Sequence, residues 1–175
     1  TSITEVVLPD SLENLGNYAF ADCTDLEHIE FGKGITSIGN YTFRKCTRIT
    51  EINIPDNITK IGSYTFQECK INTFTFGRSV KEIGSHVFYN CTSIVSMYMM
   101  CETPPAVDGG LFSSSGHYKS GTLYVPKGTI EAYKAHETWG KFLYIQEHDL
   151  TAIDNIATEA PVIAVTAGGI VVNGA

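Results

Sequence analysis

One motif, Gly-x-(Tyr/His)-x-Phe-x-x-Cys, occurs four times and constrains the fold of this chain more than any other feature. It reads Gly16-Asn17-Tyr18-Ala19-Phe20 with Cys23, then Gly39-Asn40-Tyr41-Thr42-Phe43 with Cys46. The third copy is Gly62-Ser63-Tyr64-Thr65-Phe66 with Cys69, and the fourth is Gly84-Ser85-His86-Val87-Phe88 with Cys91. The glycine, phenylalanine and cysteine columns all advance by 23, 23 and 22 residues. A unit this short cannot enclose an apolar core of its own. Stacked units can, because each coil buries the face of its neighbour.

A second set of columns runs between these landmarks. Leu26, Ile29, Phe31, Ile35 and Ile38 are matched by Ile49, Ile52, Ile54, Ile58 and Ile61, and then by Ile71, Phe74, Phe76, Val80 and Ile83. Ile3, Val6, Leu8, Leu12 and Leu15 open the series. Within each set the alternating pair, such as Ile29 and Phe31, predicts a short strand with every second side chain buried. A Pro or Gly follows each strand (Pro9, Gly32, Pro55, Gly77) and ends it in a turn. Strands of successive coils should lie in parallel at a spacing of roughly 4.8 Å, so four coils and a degenerate fifth predict one sheet about 20 Å wide.

These units resemble the BspA-type leucine-rich repeats of bacterial cell-surface proteins, with their Ile-Gly-x-x-(Ala)-Phe-x-x-Cys signature. The resemblance covers residues 3–94 closely. It extends loosely through Thr103-Pro104-Pro105, Leu123-Tyr124-Val125-Pro126-Lys127-Gly128 and Trp139, similar to caps that close such arrays in gut-bacterial surface proteins. It implies a right-handed, mostly β solenoid with little helix, a parallel sheet on its concave face and short strands and turns on its convex side. It also implies a secreted or surface-displayed, extracytoplasmic module that works by adhesion or protein binding.

The repeat array is expected over residues 1–100, about four and a half units, with a capping unit over residues 101–148. In the cap, Thr122–Val125 and Phe142–Ile145 read as strands, and Thr129 as a helix N-cap with Glu131 in the first turn. Ile130, Tyr133 and Trp139 are expected to face the array. Residues 149–175 read as a linker (Ala157–Pro161) and the start of a truncated β module, with strands at Val162–Val165 and Ile170–Val172 around Gly168-Gly169.

Charge and hydropathy narrow the partners. The net charge of −7 argues against nucleic acid and anionic membrane surfaces, which need a positive face. No apolar run reaches the roughly 18 residues of a membrane helix, so no membrane insertion by this segment is expected. Both ends read as cut, so a missing leader excludes no compartment.

The four in-phase cysteines are too far apart in sequence for a metal knuckle. A disulfide would need Cβ atoms about 3.8 Å apart, against a coil spacing of about 4.8 Å. They read as a column of small buried thiols, with Cys101 as the accessible one. Tyr18, Tyr41, Tyr64 and His86 should form a half-buried ring ladder on the convex side. The five histidines fall in unrelated contexts, and no nucleophile, zinc or phosphate motif is present, so the chain is read as no enzyme, with no metal and no cofactor. Asn40, Asn57 and Asn90 match the N-glycosylation pattern but sit at repeat positions.

Recognition is expected at the outward side chains of the strands. One column is Glu5, His28, Glu51, Thr73 and Ser96, and the other is Val7, Glu30, Asn53, Thr75 and Tyr98. Together they predict a flat patch, acidic at its N-terminal end and neutral at the other. A monomer docking a host or bacterial protein, or a glycan, is the leading expectation. The alternative is a non-binding spacer or stalk that displays another domain.

Overall fold

The computed structural model describes residues 2–113 and 116–149, and beyond them the backbone of a strand pair at Ala164–Thr166 and Gly169–Val171. The repeat folds as a parallel solenoid. The outward strands are β1 (Glu5–Val7), β3 (His28–Glu30), β5 (Glu51–Asn53), β7 (Thr73–Phe76) and β9 (Ser96–Met99). Two-residue strands alternate with them on the opposite side: β2 (Asn14–Leu15), β4 (Ser37–Ile38), β6 (Lys60–Ile61) and β8 (Glu82–Ile83). The register follows the repeat, with Glu5 opposite His28, Glu51 opposite Thr73 and Thr73 opposite Ser96.

The core is the set of repeating columns. Phe43, Phe66 and Phe88 are fully buried, as are Ile35, Ile58, Ile49 and Ile71. Phe20, in the first coil, is half-buried. The phenylalanine rings stack at 5.6 Å (Phe20–Phe43), 5.4 Å (Phe43–Phe66) and 6.0 Å (Phe66–Phe88). From the second coil on, at Gly39, Gly62 and Gly84, the glycine column is required by close approach. A Cβ on Gly62 would lie 2.6 Å from both the Asn40 side-chain oxygen and the Gly39 carbonyl carbon, and a Cβ on Gly39 would lie 2.6 Å from the Asn17 nitrogen.

The tyrosine column holds a feature the sequence does not announce. Tyr18, Tyr41, Tyr64 and His86 have φ of 58°, 56°, 56° and 54°, and Asp22, Lys45, Glu68 and Asn90 have φ of 61°, 60°, 60° and 57°. For non-glycine residues this left-handed conformation costs roughly 1–2 kcal/mol each. The compensation runs along the stack. Tyr18, Tyr41 and Tyr64 donate their N–H to the carbonyls of Asn40, Ser63 and Ser85 in the next coil, each at 3.0 Å, and Asp22, Lys45 and Glu68 donate to Arg44, Gln67 and Tyr89 at 2.7–2.8 Å.

The expected cap, residues 101–148, continues the solenoid. Ala106–Val107 (β10) extends the short-strand sheet to the order β10-β8-β6-β4-β2, and Thr122–Pro126 (β11) and Tyr144–His148 (β12) extend the outward sheet to β12-β11-β9-β7-β5. Helix α1 (His117–Ser120) precedes β11, and helix α2 (Ile130–Ala135) with a 3-10 turn at Trp139–Lys141 carries the chain from β11 to β12. Tyr133 and Trp139 are fully buried, and Ile130 packs against the core. The Tyr133 hydroxyl donates to the Cys101 carbonyl at 2.7 Å, and the Trp139 indole N–H donates to the Pro105 carbonyl at 2.9 Å. Thr129 stands at the N-cap position, but its hydroxyl donates back to the Pro126 carbonyl at 2.7 Å and does not cap the helix. The last cap strand begins at Tyr144, two residues later than expected, because Phe142 ends the 3-10 turn. In the tail, Ala164–Thr166 (β13) and Gly169–Val171 (β14) pair antiparallel. The expected linker at 157–161 lies outside the described residues.

One expectation fails on the strand side. The outward strands form two sheets: β1 pairs with β3, the other five strands pair among themselves, and no ladder joins β3 to β5. Correspondingly, Ile29 and Phe31 are half-buried where their counterparts Ile52 and Ile54 are 2% exposed.

Candidate functional site

The outward face of the strands is the candidate site, and its geometry follows from strand alternation. Inward residues Ile52, Phe74 and Met97 close the core, so Glu51, Asn53, Thr73, Thr75, Ser96 and Tyr98 stand on the opposite face. The predicted columns align in register: Val7 with Glu30 in one sheet, and Asn53, Thr75 and Tyr98 in the other. Glu5, His28, Glu30, Glu51, Asn53 and Val7 are exposed, while Thr73, Thr75, Ser96 and Tyr98 are half-buried. The structure therefore separates the predicted ten into Glu5, Val7, His28 and Glu30 on the smaller sheet and the remaining six on the larger.

The larger sheet holds outward residues that the columns did not include. Thr122 and Tyr124 of β11 lie opposite Ser96 and Tyr98, and Tyr144 and Gln146 of β12 lie opposite Thr122 and Tyr124. Tyr98 and Tyr124 stack at 4.6 Å with rings 10° from parallel, and His148 meets Tyr98 edge-on at 5.8 Å. Tyr144 is 51% exposed. Burial first, and then the neighbouring Tyr124, push the Tyr98 hydroxyl above its ordinary pKa, so it stays protonated and can donate. The strand at Thr122 was legible in the sequence. Its alignment with Ser96 was not, because the repeat phase breaks at Pro104-Pro105.

The other candidates resolve into structure. All five cysteines are free thiols. Cys46, Cys69 and Cys91 donate to the carbonyls of Phe20, Phe43 and Phe66 at 3.2, 3.0 and 2.8 Å, each reaching back one coil. Burial pushes Cys46 and Cys91 up to about 12 and Cys69 well above its ordinary value, which holds these thiols protonated and unreactive. Cys101 is not the accessible thiol. It is 2% exposed, with its Sγ 3.1 Å from the Gly77 carbonyl, because the segment after it closes over it; Cys23, in the first described coil, is half-buried.

Tyr18, Tyr41, Tyr64 and His86 form a ring ladder at 4.9, 5.0 and 5.3 Å, half-buried as expected at Tyr41, Tyr64 and His86 but exposed at Tyr18. Asn40 accepts from the Ser63 N–H at 2.7 Å, and Asn57 donates to the Gly32 and Ile35 carbonyls, so both side chains link coils. Among the described residues no group of three or more His, Cys, Asp or Glu side chains is placed to hold a metal ion, and no helix is long and apolar enough to cross a membrane.

Residues 1–95 match the BspA type leucine-rich repeat region in six copies. The chain belongs to the BspA-type leucine-rich-repeat family. No curated protein matches it. Among solved structures it is similar to the T. pallidum leucine-rich-repeat protein TpLRR, at 23% identity and a TM-score of 0.56, over 77% of this chain and 72% of that one. It is also similar to the pneumococcal vaccine antigen PcpA, at 19% identity and a TM-score of 0.62, over 85% of this chain and 36% of that one, so it spans about a third of that protein's length. At these identities the likeness is one of fold: a leucine-rich-repeat solenoid of a kind found in bacterial proteins.

Proposed function

We propose that this BspA-type domain is an adhesin-like binding module at the bacterial cell surface, docking a partner protein through its strand face. The observation that carries this reading is the stacked pair of Tyr98 and Tyr124 on the larger sheet, with the exposed Tyr144 on the neighbouring strand opposite Thr122. Tyrosine supplies rigid apolar area and a hydroxyl at one position, the combination that anchors protein interfaces. Stacking covers one face of each of the Tyr98 and Tyr124 rings. A sugar ring needs an open aromatic face, whereas a protein surface can use edges and hydroxyls, so the stacked pair favours a protein over a glycan. The family supports an extracytoplasmic setting, and the description of PcpA as a vaccine antigen is in keeping with one.

The test is to screen the chain against arrays of host proteins, bacterial proteins and glycans, and then to measure the Tyr144→Ala and Tyr98→Ala variants. At least one protein should bind, with affinity falling roughly 30-fold for the more central tyrosine, the scale of an interface hot spot. Undiminished binding by both variants would move the site off this face. Absence of any ligand would favour the spacer.

A further inference from the structure

The break between β3 and β5 is a local opening of an otherwise continuous stack. The same two coils are joined on the short-strand side, where Ser37 pairs with Lys60 and Ile38 with Ile61, and the Gly62 N–H donates to the Ile38 carbonyl at 2.8 Å. Phe20, Phe43 and Phe66 stack through them without interruption. On the strand side, however, the recurring inter-coil bond is missing. The Glu27 N–H donates to Thr4, Asn72 to Thr50 and Val95 to Asn72, while among the described residues no such bond links Thr50 to Glu27. The main-chain bonds between the two coils therefore lapse along the strands alone, while the Thr47 hydroxyl, donating to the Thr24 carbonyl at 3.3 Å, and Asn57, donating to the Gly32 and Ile35 carbonyls, hold the coils together on either side.

The lapse coincides with a groove of about 790 Å³ lined by both strands, among them the half-buried Ile29 and Phe31 and the nearly buried Ile52, and bordered by Glu27, Glu30 and Glu51. Its walls carry unused backbone groups. His28 donates to the Thr4 carbonyl at 3.2 Å and Glu30 accepts from the Leu8 N–H at 2.9 Å, so both turn toward β1. Strand alternation then turns the N–H and C=O of Ile29 into the groove. On the other wall, Ile54 donates to Thr75 at 2.9 Å and Thr50 accepts from Asn72 at 2.7 Å, so Glu51 and Asn53 turn their backbone groups into the groove. Two facing strand edges with apolar side chains between them form a slot for an extended chain.

The charge of the slot selects its occupant. Glu27 is paired with Arg48 at 2.8 Å, but among the described residues neither Glu30 nor Glu51 has an ion-pair partner. We propose that this slot receives an extended segment of a partner protein as an added strand. Alternate apolar side chains of that segment enter between Ile29 and Ile52, and Lys or Arg side chains on its other face meet Glu30 and Glu51. This rests on the strand face being the binding face, and it adds the mode of binding and the chemistry of the segment bound.

Hydrogen exchange of the whole chain is the first measurement. In the free protein the amides of Ile29, Glu51 and Asn53 should exchange at least about tenfold faster than those of Ile54 and Asn72, which are hydrogen-bonded. An end-blocked octapeptide of alternating Lys and Val should then bind and slow those three amides by a similar factor. The same peptide with alternate amides N-methylated should bind about tenfold more weakly, because the ladder is lost while the charge is kept. A Glu-Val octapeptide should not bind, and the E30Q/E51Q variant should weaken Lys-Val binding by about tenfold.

Amides already protected in the free chain would mean a closed sheet and would overturn the proposal. So would failure of the Lys-Val peptide to bind, binding that leaves the three amides unchanged, or equal binding of the N-methylated peptide. None of these readouts involves Tyr98 or Tyr144, so failure here is distinguishable from failure of the tyrosine-centred docking site.

Discussion

The two sides of this solenoid are built from the same coils, yet only one of them is continuous. On the short-strand side, glycine, phenylalanine, cysteine and tyrosine repeat in step, and ladder, ring stack and backbone bonds run from the first coil into the cap. On the outward side only the inward-facing residues repeat, and the sheet divides between β3 and β5. Continuity therefore comes from columns that bury and bond identically in each coil. The outward side chains are left free to vary in charge and shape, and the strand pairing beneath them can open.

The most severe way to break the continuous side is to remove a ring from the middle of the stack. Phe43→Ala should cost about 3–5 kcal/mol, the range for a buried aromatic, whereas Phe20→Ala, at the half-buried end, should cost clearly less. Chemical denaturation of the two variants checks this; equal losses would mean that the stack has no interior.

Next comes the glycine column. Gly62→Ala drives a methyl into the backbone of the preceding coil and should cost about 1–3 kcal/mol, as overpacking does. Gly16→Ala meets nothing within 4 Å and should be neutral or stabilising by about 0.4–1 kcal/mol through the unfolded chain. Melting temperatures of this pair would sharpen the contrast between a stacked coil and the first one.

The smallest effect at neutral pH belongs to the thiols. Their folded pKa values are raised above that of an unfolded cysteine, with Cys46 and Cys91 up to about 12. The stability they contribute is therefore complete below the unfolded value of about 8.5 and is lost as pH rises from there toward 12. Thermal unfolding followed from pH 7 to 11 should show this decline, and it should be shallower in a Cys46→Ala variant. An unchanged profile in that variant would mean that the thiol titrates normally.

Much of the fold was legible in the sequence because stacking imposes one environment per column. Ile38, Ile61 and Ile83 are buried in register as their spacing demands, and the strand register of Glu51, Thr73 and Ser96 follows from the same count. The binding face was legible only in part. Its repeating half could be counted, but Tyr124 and Tyr144 reach it through cap strands whose pairing partners are distant in the chain and out of phase. The exposure of Cys101 was misjudged for the same reason, since the residues that cover it belong to the cap.

The sequence by itself determined the coil, its period, the side each residue faces and the family. These follow from local alternation and from a repeat that each coil reads against its immediate neighbour. Only the tertiary structure decided where the ladder opens, which cap strands join the sheet, and that eight of the described non-glycine residues adopt a left-handed backbone to bond along the stack. Those outcomes depend on how whole coils tilt and meet, a balance of inter-coil hydrogen bonds and ring contacts that no single 23-residue unit contains.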